Sequence, residues 1–463
     1  MEFMQYFDEL KDKKVAVIGL GISNTPLIEL LINNNISVCI CDMRTEEMLG
    51  DIVEKFRNMG AKLSLGPSYL DDMSFDVIFR TPGILPTDEK LIAAKNQGAI
   101  ITSEMEAFFS LCKCKIIAVT GSDGKTTTSS IIAELLKAAG KTVHLGGNIG
   151  KPLLPEIPCF NPDDIAVVEL SSFQLHSISI SPDIAVVTNV SPNHLDKHID
   201  FEDYLLSKKR IFEMQKPDSK LILNLDNSYT AKFQEEAVSG VLLFSMKEAV
   251  KNGCFCRDNM IYYSRDYEVE PIIPASEILL PGEHNIENYL AAFCAVEGMV
   301  SAQMCRAVAR SYGGVAHRLE LVKKINGVSY INDSIASSPT RTVAGLRAMR
   351  TKVLLIAGGH DKNIPIDYLA DVICDHVKAL FLTGDTAEKI AEAVKSSVFY
   401  DPGKLPILIT EDLKDAVTAA KNMAVFGDTV LLSPACSSFD RFRNFAERGD
   451  LFRNIVLGFS EDE

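Results

Sequence analysis

The sequence predicts an α/β fold with parallel sheets, and three observations support this prediction. Short apolar segments alternate with glycine turns and helical patterns along the chain, as in repeated units of strand, turn and helix. This pattern starts again at three places, and no low-complexity or proline-rich linker separates them. The chain has 463 residues, of which 47% are hydrophobic and 24% charged, so it has enough apolar material for two or three folded domains.

The three restarts predict three domains, with boundaries near residues 103 and 314. The first domain, 1–103, opens with "KKVAVIGLGISNTPLIELL". The second, 104–314, opens with "CKIIAVTGSDGKTTTSSIIAELLKAAG", where Gly140 is expected to end the helix. The third, 315–463, contributes the apolar segments of "TKVLLIAGGHDK", "ALFLTGD", "LPILITE" and "DTVLLSPAC".

Charge and composition exclude several classes of protein. A formal net charge of −15 argues against general nucleic-acid binding, which requires neutralised phosphates. No signal peptide precedes the first strand and no apolar run reaches the roughly 18 residues of a membrane helix, so we expect a cytoplasmic protein without membrane insertion. The eleven cysteines include three C-x-C pairs but no C-x-x-C pair, which favours buried reduced thiols over a zinc site.

A phosphate-binding loop is predicted in "VTGSDGKTTTSSII", residues 119–132. Gly121 and Gly124 let backbone N–H groups approach an anion, the next helix points its positive end at it, and Lys125 adds a charge. Thr126 can offer its hydroxyl to magnesium. Val119 stands where the full Walker pattern has glycine, so the motif is a shortened version.

A second glycine turn, "GLGISN", is a weaker signal. Gly19 and Gly21 follow a strand, but Asn24 replaces the third glycine of a dinucleotide fingerprint. Asp42 ends the next strand, where an acid that bonds a ribose would lie. By itself this turn fits a redox enzyme and a plain structural turn equally well, although "RTPG" at 80–83 adds a second turn at a strand end.

The middle domain carries further polar residues at expected strand and helix ends. Glu169 ends the apolar strand of "DIAVVEL", where it is either a magnesium ligand or a solvated acid. His194 and His198 in "NHLDKH" are four apart, but the H-E-x-x-H glutamate of a zinc helix is missing. Lys208 in "FEDYLLSKKRIF" lies on the apolar side of a helix, where its neutral amine could react with carbon dioxide, or its stem could be buried while its charged end reaches solvent.

A family resemblance rests on several motifs together and covers nearly the whole chain in order. Besides "TGSDGKTT", "ELSSFQL", "NVSPNHLDKH" and "YLLSKKRI", the chain contains "GNIG" at 147–150, "HN" at 284–285, "AHRLE", "NDS" at 332–334 and "SPACSSFDRF". In these motifs the chain resembles the Mur ligases. The resemblance implies Rossmann-like N- and C-terminal domains around a central P-loop ATPase-like domain.

The resemblance also implies a reaction. ATP would phosphorylate the carboxylate of UDP-N-acetylmuramoyl-L-alanine, and the amine of D-glutamate would then attack the acyl phosphate. Magnesium is the implied metal, and Lys208 matches a lysine that is carbamylated in the family. The implied protein is a cytoplasmic monomer of peptidoglycan precursor synthesis that binds small molecules only.

The implied site residues fall into four sets. The catalytic set is Lys125, Glu169, His194 and Lys208, and the metal ligands are Thr126, Glu169, His194 and the carbamate on Lys208. The ATP set is Gly121, Ser122, Asp123, Gly124, Lys125, Thr126, Thr127, Asn288, Arg318 and Asp333. The UDP-substrate set is Gly21, Ser23, Asn24, Asp42, Arg44, Gly83 and Asn148, the last nearer the acceptor end. The D-glutamate set is Lys362, Ser438, Phe439 and Phe445.

One departure and four alternatives remain, and the first alternative is another ligase of the same family. The common family sequence "NDSKATN" reads "NDSIASSP" here, so Ile335 stands where a lysine often does. A folate polyglutamate ligase would share the phosphate loop but would not need the first nucleotide crevice. A nicotinamide oxidoreductase would leave "GSDGKT" and Glu169 without a role, and a non-catalytic nucleotide-binding module would not need a third domain.

Overall fold

A computed structural model describes residues 2–21, 23–194, 197–280, 282–349, 351–361 and 365–460. The chain divides into two compact units, Met1–Tyr312 and Gly313–Glu463. The chain contains three sheets of largely parallel strands, two in the first unit and one in the second. Helices connect these strands, which confirms the α/β prediction. No helix in the described parts of the chain is both long and apolar enough to cross a bilayer.

The first sheet has five parallel strands in the order β3-β2-β1-β4-β5. The strands are β1 (Val15–Ile18), β2 (Val38–Asp42), β3 (Lys62–Leu65), β4 (Val77–Phe79) and β5 (Ile100–Thr102). The helices are α1 (Phe3–Asp8), α2 (Asn24–Asn33), α3 (Glu46–Leu49), α4 (Asp51–Asn58), α5 (Glu89–Asn96) and α6 (Glu104–Leu111). The order reverses between β1 and β4, which is where open α/β sheets bind ligands.

The second sheet has nine strands in the order β14-β13-β12-β11-β10-β9-β6-β8-β7. Its only antiparallel pairs are those that β13 forms with β12 and with β14. The strands are β6 (Lys115–Thr120), β7 (Val143–Gly147), β8 (Ile165–Glu169), β9 (Ile184–Val187), β10 (Lys220–Asn224), β11 (Gly240–Ser245), β12 (Gly253–Arg257), β13 (Met260–Arg265) and β14 (Glu268–Pro274). The helices are α7 (Lys125–Ala138), α8 (Ser172–Leu175), α9 (Phe201–Lys209), α10 (Glu283–Ala295) and α11 (Ala302–Ser311), with 3-10 turns at Leu154–Cys159, Thr230–Glu235 and Ala275–Glu277.

The ends of α7 follow from its sequence. The helix begins directly after Gly124, and it ends two residues before Gly140, whose φ of 77° lies in the left-handed region that glycine adopts without strain. The predicted helix stop at Gly140 is therefore confirmed.

The second unit contains a six-stranded sheet in the order β15-β16-β20-β17-β18-β19, in which only β15 and β16 pair antiparallel. The strands are β15 (Glu320–Ile325), β16 (Val328–Asn332), β17 (Val353–Ala357), β18 (Val377–Leu382), β19 (Ile407–Ile409) and β20 (Thr429–Leu432). The helices are α12 (Pro339–Ala348), α13 (Asp367–His376), α14 (Ala387–Ser396), α15 (Leu413–Met423) and α16 (Phe445–Leu457).

Apolar cores cover the faces of these sheets. In the first unit one core includes residues of both sheets, among them Phe79, Phe108 and Val168, so the first two sheets are packed into one body. In the second unit separate cores lie on the two faces of the sheet, as expected for parallel strands with helices on both sides. The domain boundaries near residues 103 and 314 stay predictions.

Candidate active site

The loop at 121–124 connects β6 to α7 at the carboxyl end of the second sheet, and its glycines are required by crowding. Gly121 and Gly124 have φ values of 150° and 78°. A Cβ at Gly121 would overlap the hydroxyl oxygen of Thr188, and one at Gly124 would overlap the Oδ1 atom of Asn288. Only glycine therefore allows this loop to fold over its neighbours and still present its backbone to a ligand.

Residues that follow β9 hold the loop in shape. The Asn189 Oδ1 atom accepts the Asp123 N–H at 2.9 Å, and the Asn189 carbonyl accepts the Ser122 N–H at 2.9 Å. The Thr188 hydroxyl donates to the Asp123 carbonyl at 2.6 Å, while the Asp123 side chain itself is exposed. Thr188 and Asn189 were not predicted as site residues, because nothing in "TNV" marks contacts made across the sheet.

Two lysines converge on one carbonyl oxygen of this loop. The Lys125 ammonium donates to the Gly121 carbonyl at 3.0 Å and to the Ser122 carbonyl at 2.8 Å. The Lys208 Nζ atom, reaching from α9, donates to the same Gly121 carbonyl at 2.8 Å. Residues 83 positions apart in the chain thus share an acceptor where the phosphate groups of a nucleotide are expected.

Lys208 is held in a setting that disfavours its charge. Its side chain is buried, with 1% of the residue exposed, and its Nζ atom lies 4.6 Å from the centroid of the Tyr204 ring. Burial lowers the pKa of Lys208 well below its usual value, and the charge of Lys125 lowers it further. Of the two readings of this side chain, the structure thus favours a buried amine over a stem whose charged end reaches solvent.

Glu169 lies at the end of β8. This strand pairs with β6, and Glu169 stands opposite Val119 in their register. Only 1% of the residue is exposed, so the solvated-acid interpretation is wrong. The Asn148 side-chain amide donates to the Glu169 Oε1 atom at 2.7 Å, whereas the Oε2 atom is buried without a hydrogen-bond partner in the described residues. A buried carboxylate oxygen beside a phosphate loop fits a magnesium ligand, since magnesium prefers hard oxygen donors.

His194 and the residues before it lie beside the same loop. The Ser122 hydroxyl donates to the Ser191 carbonyl at 3.0 Å and accepts the Ser191 N–H at 2.9 Å. His194 itself is exposed, with its ring centroid 5.3 Å from that of Phe173. Thr126, in the first turn of α7, is partly exposed. Both residues therefore present some exposed surface beside the loop.

The zinc interpretation of the histidine pair is not supported by the geometry. His198 is buried, and its ring nitrogens contact Asp203 and Ser172, whereas His194 is exposed. In the described residues the one group of three potential metal ligands is His176, His198 and Asp203, and no cysteine belongs to such a group.

Helix α10 contributes the predicted Asn288. Its Oδ1 atom accepts the Thr128 hydroxyl at 3.2 Å, and its amide donates to the Asn285 Oδ1 atom at 3.1 Å. Asn288 is thereby fixed against the start of α7, next to Gly124.

The first sheet brings together several residues predicted to bind the UDP-linked substrate. The Asp42 carboxylate accepts the Leu20 N–H at 2.7 Å and pairs with the Arg44 guanidinium at 2.8 Å. Burial opposes ionisation of Asp42, but the hydrogen bonds from Arg44 and Leu20 outweigh it and lower its pKa. Asn24 is buried at the start of α2 and donates to the Ile18 carbonyl at 2.8 Å. Ser23 stands at the N-cap of α2, and Gly21 and Gly83 belong to the two turns after β1 and β4.

The second unit carries the remaining predicted nucleotide residues. Asp333 is buried at the end of β16, where it accepts the Leu319 N–H at 3.2 Å and the Ser433 hydroxyl at 2.8 Å. Burial raises the pKa of Asp333 to about 6. Arg318 is exposed in the loop before β15, and Ile335, the departure from the family sequence, is half-buried.

The predicted D-glutamate residues are distributed over one loop and one helix start. Ser438 is buried, Phe439 is exposed, and Phe445 opens α16 with its carbonyl accepting the Ser334 hydroxyl at 2.8 Å. Lys362 lies outside the described residues.

Arg448 is a residue of this region that the sequence analysis missed. Its buried guanidinium donates to the hydroxyl and carbonyl of Ser334, both at 3.0 Å, and to the carbonyls of Cys436 and Ser437, both at 3.2 Å. It therefore connects the "NDS" turn to the loop that carries Ser438. An arginine in a polar helix, "NFAERGD", gives no sequence signal of burial.

Two protein-family models match this chain, one within each of its two compact units. The model of the Mur ligase middle domain matches residues 119–296, and that of the Mur ligase glutamate ligase domain matches residues 317–436. A protein of Acetivibrio thermocellus named UDP-N-acetylmuramoylalanine–D-glutamate ligase is 49% identical over 97% of each chain. A protein of the same name from Clostridium tetani is 47% identical over 98% of this chain and 99% of its own length.

Solved structures show the same fold at low identity. The UDP-N-acetylmuramate-alanine ligase of Thermotoga maritima matches 96% of this chain and 99% of its own, with a TM-score of 0.53 and 17% identity. A UDP-N-acetylmuramoyl-L-alanyl-D-glutamate–2,6-diaminopimelate ligase matches 96% of this chain and 92% of its own, with a TM-score of 0.54 and 17% identity.

Proposed function

The chain belongs to the Mur ligase family of ATP-dependent, amide-bond-forming ligases, and we propose that this protein joins D-glutamate to UDP-N-acetylmuramoyl-L-alanine. The observation that supports this substrate pair is the full-length similarity to relatives named UDP-N-acetylmuramoylalanine–D-glutamate ligase, at 44% to 49% identity. We further propose that the protein acts as a monomer in the cytoplasm, in the synthesis of peptidoglycan precursors.

The proposed reaction has two steps. An oxygen of the alanyl carboxylate attacks the terminal phosphorus of ATP, so that a new O–P bond forms and ADP leaves. The neutral amine of D-glutamate then attacks the acyl carbon, phosphate departs with the electron pair of the C–O bond, and the new amide nitrogen loses a proton. The first step is needed because a free carboxylate is a poor electrophile, whereas phosphate is a good leaving group.

The loop at 121–127 is proposed to hold the ATP phosphates. The glycines expose the backbone, and the N-terminus of α7 contributes its dipole. The Lys125 ammonium, which donates to the Gly121 and Ser122 carbonyls here, would exchange these acceptors for a phosphate oxygen when ATP binds. Asn288, Arg318 and Asp333 are proposed to contact the rest of the nucleotide.

Magnesium, when bound, would neutralise charge on the phosphate oxygens. Its proposed ligands are the Thr126 hydroxyl, Glu169, His194 and a carbamate on Lys208. The unpartnered Oε2 atom of Glu169 supports this assignment, because a buried carboxylate oxygen without a donor is costly unless a cation faces it.

The carbamate proposal rests on the surroundings of Lys208. Carbamylation requires a neutral amine, whose nitrogen forms a bond to the carbon of carbon dioxide and then releases a proton to solvent. The apolar burial of Lys208 and the nearby charge of Lys125 favour that neutral form. The product replaces the buried amine with a carbamate, which would offer two oxygen ligands to magnesium.

The substrate-binding residues are proposed in two groups. Gly21, Ser23, Asn24, Asp42, Arg44 and Gly83 would bind the uridine nucleotide, with Asn148 nearer the alanyl end because its amide already contacts Glu169. Lys362, Ser438, Phe439 and Phe445 would bind D-glutamate, whose two carboxylates require a cation and N–H or O–H donors.

The proposed substrate pair is tested by ADP release with UDP-N-acetylmuramoyl-L-alanine and one amino acid at a time. We expect kcat/KM for D-glutamate to exceed that for L-glutamate, lysine or diaminopimelate at least tenfold, or about 1.4 kcal/mol of transition-state binding. Equal or faster turnover with an L-configured or basic amino acid would overturn the assignment.

The phosphate loop is tested by Lys125→Ala. Removing this charge should raise the barrier by about 3 kcal/mol or more, so turnover should fall over a hundredfold while uridine-nucleotide binding is kept. Lys137→Ala is the matched control, since Lys137 lies on the same helix but forms an exposed pair with Glu134. Turnover of Lys125→Ala within threefold of the parent would contradict the proposal.

A further inference from the structure

The two buried side chains proposed to face the metal stand on separate parts of the chain. Glu169 ends β8 and is followed directly by α8, whereas Lys208 lies near the end of α9. A site that uses both must keep α8 and α9 at a fixed separation, and a displacement of about 1 Å is enough to impair catalysis.

A chain of hydrogen bonds joins these two helices through His198. The Asp203 Oδ2 atom on α9 lies 2.7 Å from the His198 Nδ1 atom, and the His198 Nε2 atom lies 2.9 Å from the hydroxyl oxygen of Ser172 on α8. A carboxylate only accepts, so the Nδ1 atom carries the proton and the Nε2 atom accepts from Ser172. We call Asp203, His198 and Ser172 the relay.

The His198 ring cannot turn away from this geometry. Its side chain is fully buried, it stacks on Phe173 with ring centroids 5.1 Å apart and planes at 14°, and Tyr204 packs edge-on at 5.2 Å. Asp203 is fixed in turn, because its N–H donates to the Asp200 side chain at 2.8 Å and its Oδ1 atom lies 3.0 Å from the His176 Nε2 atom. His198 and Asp203 are therefore each held by at least one contact outside the relay.

We propose that His198 is a positioning residue, which through the relay sets the separation of α8 and α9 and thereby of Glu169 and Lys208. This inference rests on the proposed function, since it takes both side chains as parts of the magnesium site. The inference gives His198, the second histidine of "NHLDKH", a role that does not require zinc.

The same atoms could in principle hold a transition metal, because the donor atoms of His176, His198 and Asp203 lie within 4.8 Å of one another. The hydrogen bonds favour the relay instead. Both oxygens of Asp203 and both ring nitrogens of His198 already have partners, so no polar atom of the relay needs an ion for its satisfaction.

The experiment measures ATP-dependent turnover against magnesium concentration in the full-length protein for His198→Ala, Ser172→Ala and the double variant. We expect the half-saturating magnesium concentration to rise at least fivefold and kcat to fall about tenfold in each single variant. KM for the UDP-linked substrate should stay within twofold. Ser172→Ala removes one oxygen atom and leaves the cap of α8 intact, because Ser171 and Gln174 form that cap.

The double variant separates the relay from general packing. If the two residues act through one hydrogen-bonded chain, adding Ser172→Ala to His198→Ala should cause no further loss. His144→Ala is the matched control, because His144 also pairs with an aspartate, Asp164, at 2.9 Å and stacks on Phe160 at 3.6 Å. Its magnesium response should equal that of the parent.

Three outcomes would overturn the inference. One is an unchanged magnesium response in Ser172→Ala, which remains decisive if His198→Ala does not fold. Another is strict additivity in the double variant. The third is stoichiometric zinc in the parent, measured by elemental analysis, that is lost in His176→Ala. A parent that turns over with a different amino acid would instead contradict the proposed function, and the magnesium series would then be run with that amino acid.

Discussion

Lys208 in the first unit and Arg448 in the second are buried basic side chains in different surroundings. Arg448 is 3% exposed and donates to two Ser334 oxygens and to the Cys436 and Ser437 carbonyls. Burial lowers its pKa to about 10, so the guanidinium stays charged at neutral pH. These four hydrogen bonds hold the cation in place, and we call Arg448 a structural brace.

Lys208 is buried to the same degree, but its hydrogen bond goes to the Gly121 carbonyl, and its other neighbours include the Tyr204 ring and the cation of Lys125. Burial lowers the pKa of Lys208 well below its usual value, and the charge of Lys125 acts in the same direction. The comparison shows that the surroundings, rather than burial alone, decide whether a buried base keeps its charge. Arginine suits the first situation and lysine the second, since only lysine loses its proton readily.

The largest expected effect that tests this comparison is the loss of turnover in Lys208→Ala. If the proposed carbamate is a metal ligand, its loss should decrease kcat at least a thousandfold, and added acetate or formate should restore part of the activity. Lys209→Ala should retain parental activity, since Lys209 pairs with Glu236 at 2.6 Å away from the loop. A Lys208→Ala protein that turns over within tenfold of the parent would place Lys208 with Arg448 among the structural cations.

The second test concerns stability in the second unit. Arg448→Met should lower its free energy of unfolding by about 4 kcal/mol, because three carbonyls and one hydroxyl lose a buried donor. Arg453→Met on the same helix should cost below about 1 kcal/mol, since Arg453 pairs with Glu320 and Asp450 at a partly exposed position. Denaturant unfolding of both variants measures the difference, and equal costs would show that Arg448 is not a brace.

The third test extends the comparison of buried ionisable side chains to an acid, Glu104. Burial raises the pKa of Glu104 from its usual 4.5 to about 7, although its carboxylate accepts the Leu154 N–H at 3.0 Å. A raised carboxyl pKa means that its contribution to stability is present at low pH and is lost as pH rises from 4.5 through about 7. Glu104→Gln should therefore be more stable than the parent at pH 8, by up to about 3 kcal/mol, and equally stable near pH 4.

Thermal unfolding of parent and Glu104→Gln across this pH range is the measurement. The difference in stability between parent and Asp164→Asn should have the opposite pH dependence, because hydrogen bonds from Asn161 and His144 lower the pKa of Asp164. A constant difference in stability between parent and Glu104→Gln at all pH values would refute the effect.

Local patterns were sufficient for the α/β class, the glycine loop between β6 and α7, and the position of Glu169 at the end of β8. Each depends on a short stretch of chain, such as glycines after an apolar strand or an acid at its end. The hydrogen bonds of Asn189 to the loop, the burial of Arg448 and the relay through His198 were not predictable in this way. They join residues that are distant in sequence, and only the folded sheets bring them together.

The "GLGISN" turn after β1 illustrates the same limit of sequence-based prediction. The sequence indicates that Asp42 follows a strand near "GLGISN", which is correct. It does not reveal that Arg44 and the Leu20 N–H already occupy the carboxylate, because that contact depends on the path of the chain after β2. A ligand that uses the Asp42 carboxylate must therefore bind to the Asp42–Arg44 pair or displace it.

The proposed carbamate on Lys208 is tested most directly by 13C NMR of the protein equilibrated with 13C-labelled bicarbonate, on the same preparation used for turnover. We predict one carbamate carbon resonance in the parent and in Lys209→Ala, and its absence in Lys208→Ala. A preparation with full ATP-dependent ligase activity whose spectrum lacks that resonance, and whose mass shows an unmodified Lys208, would contradict the account.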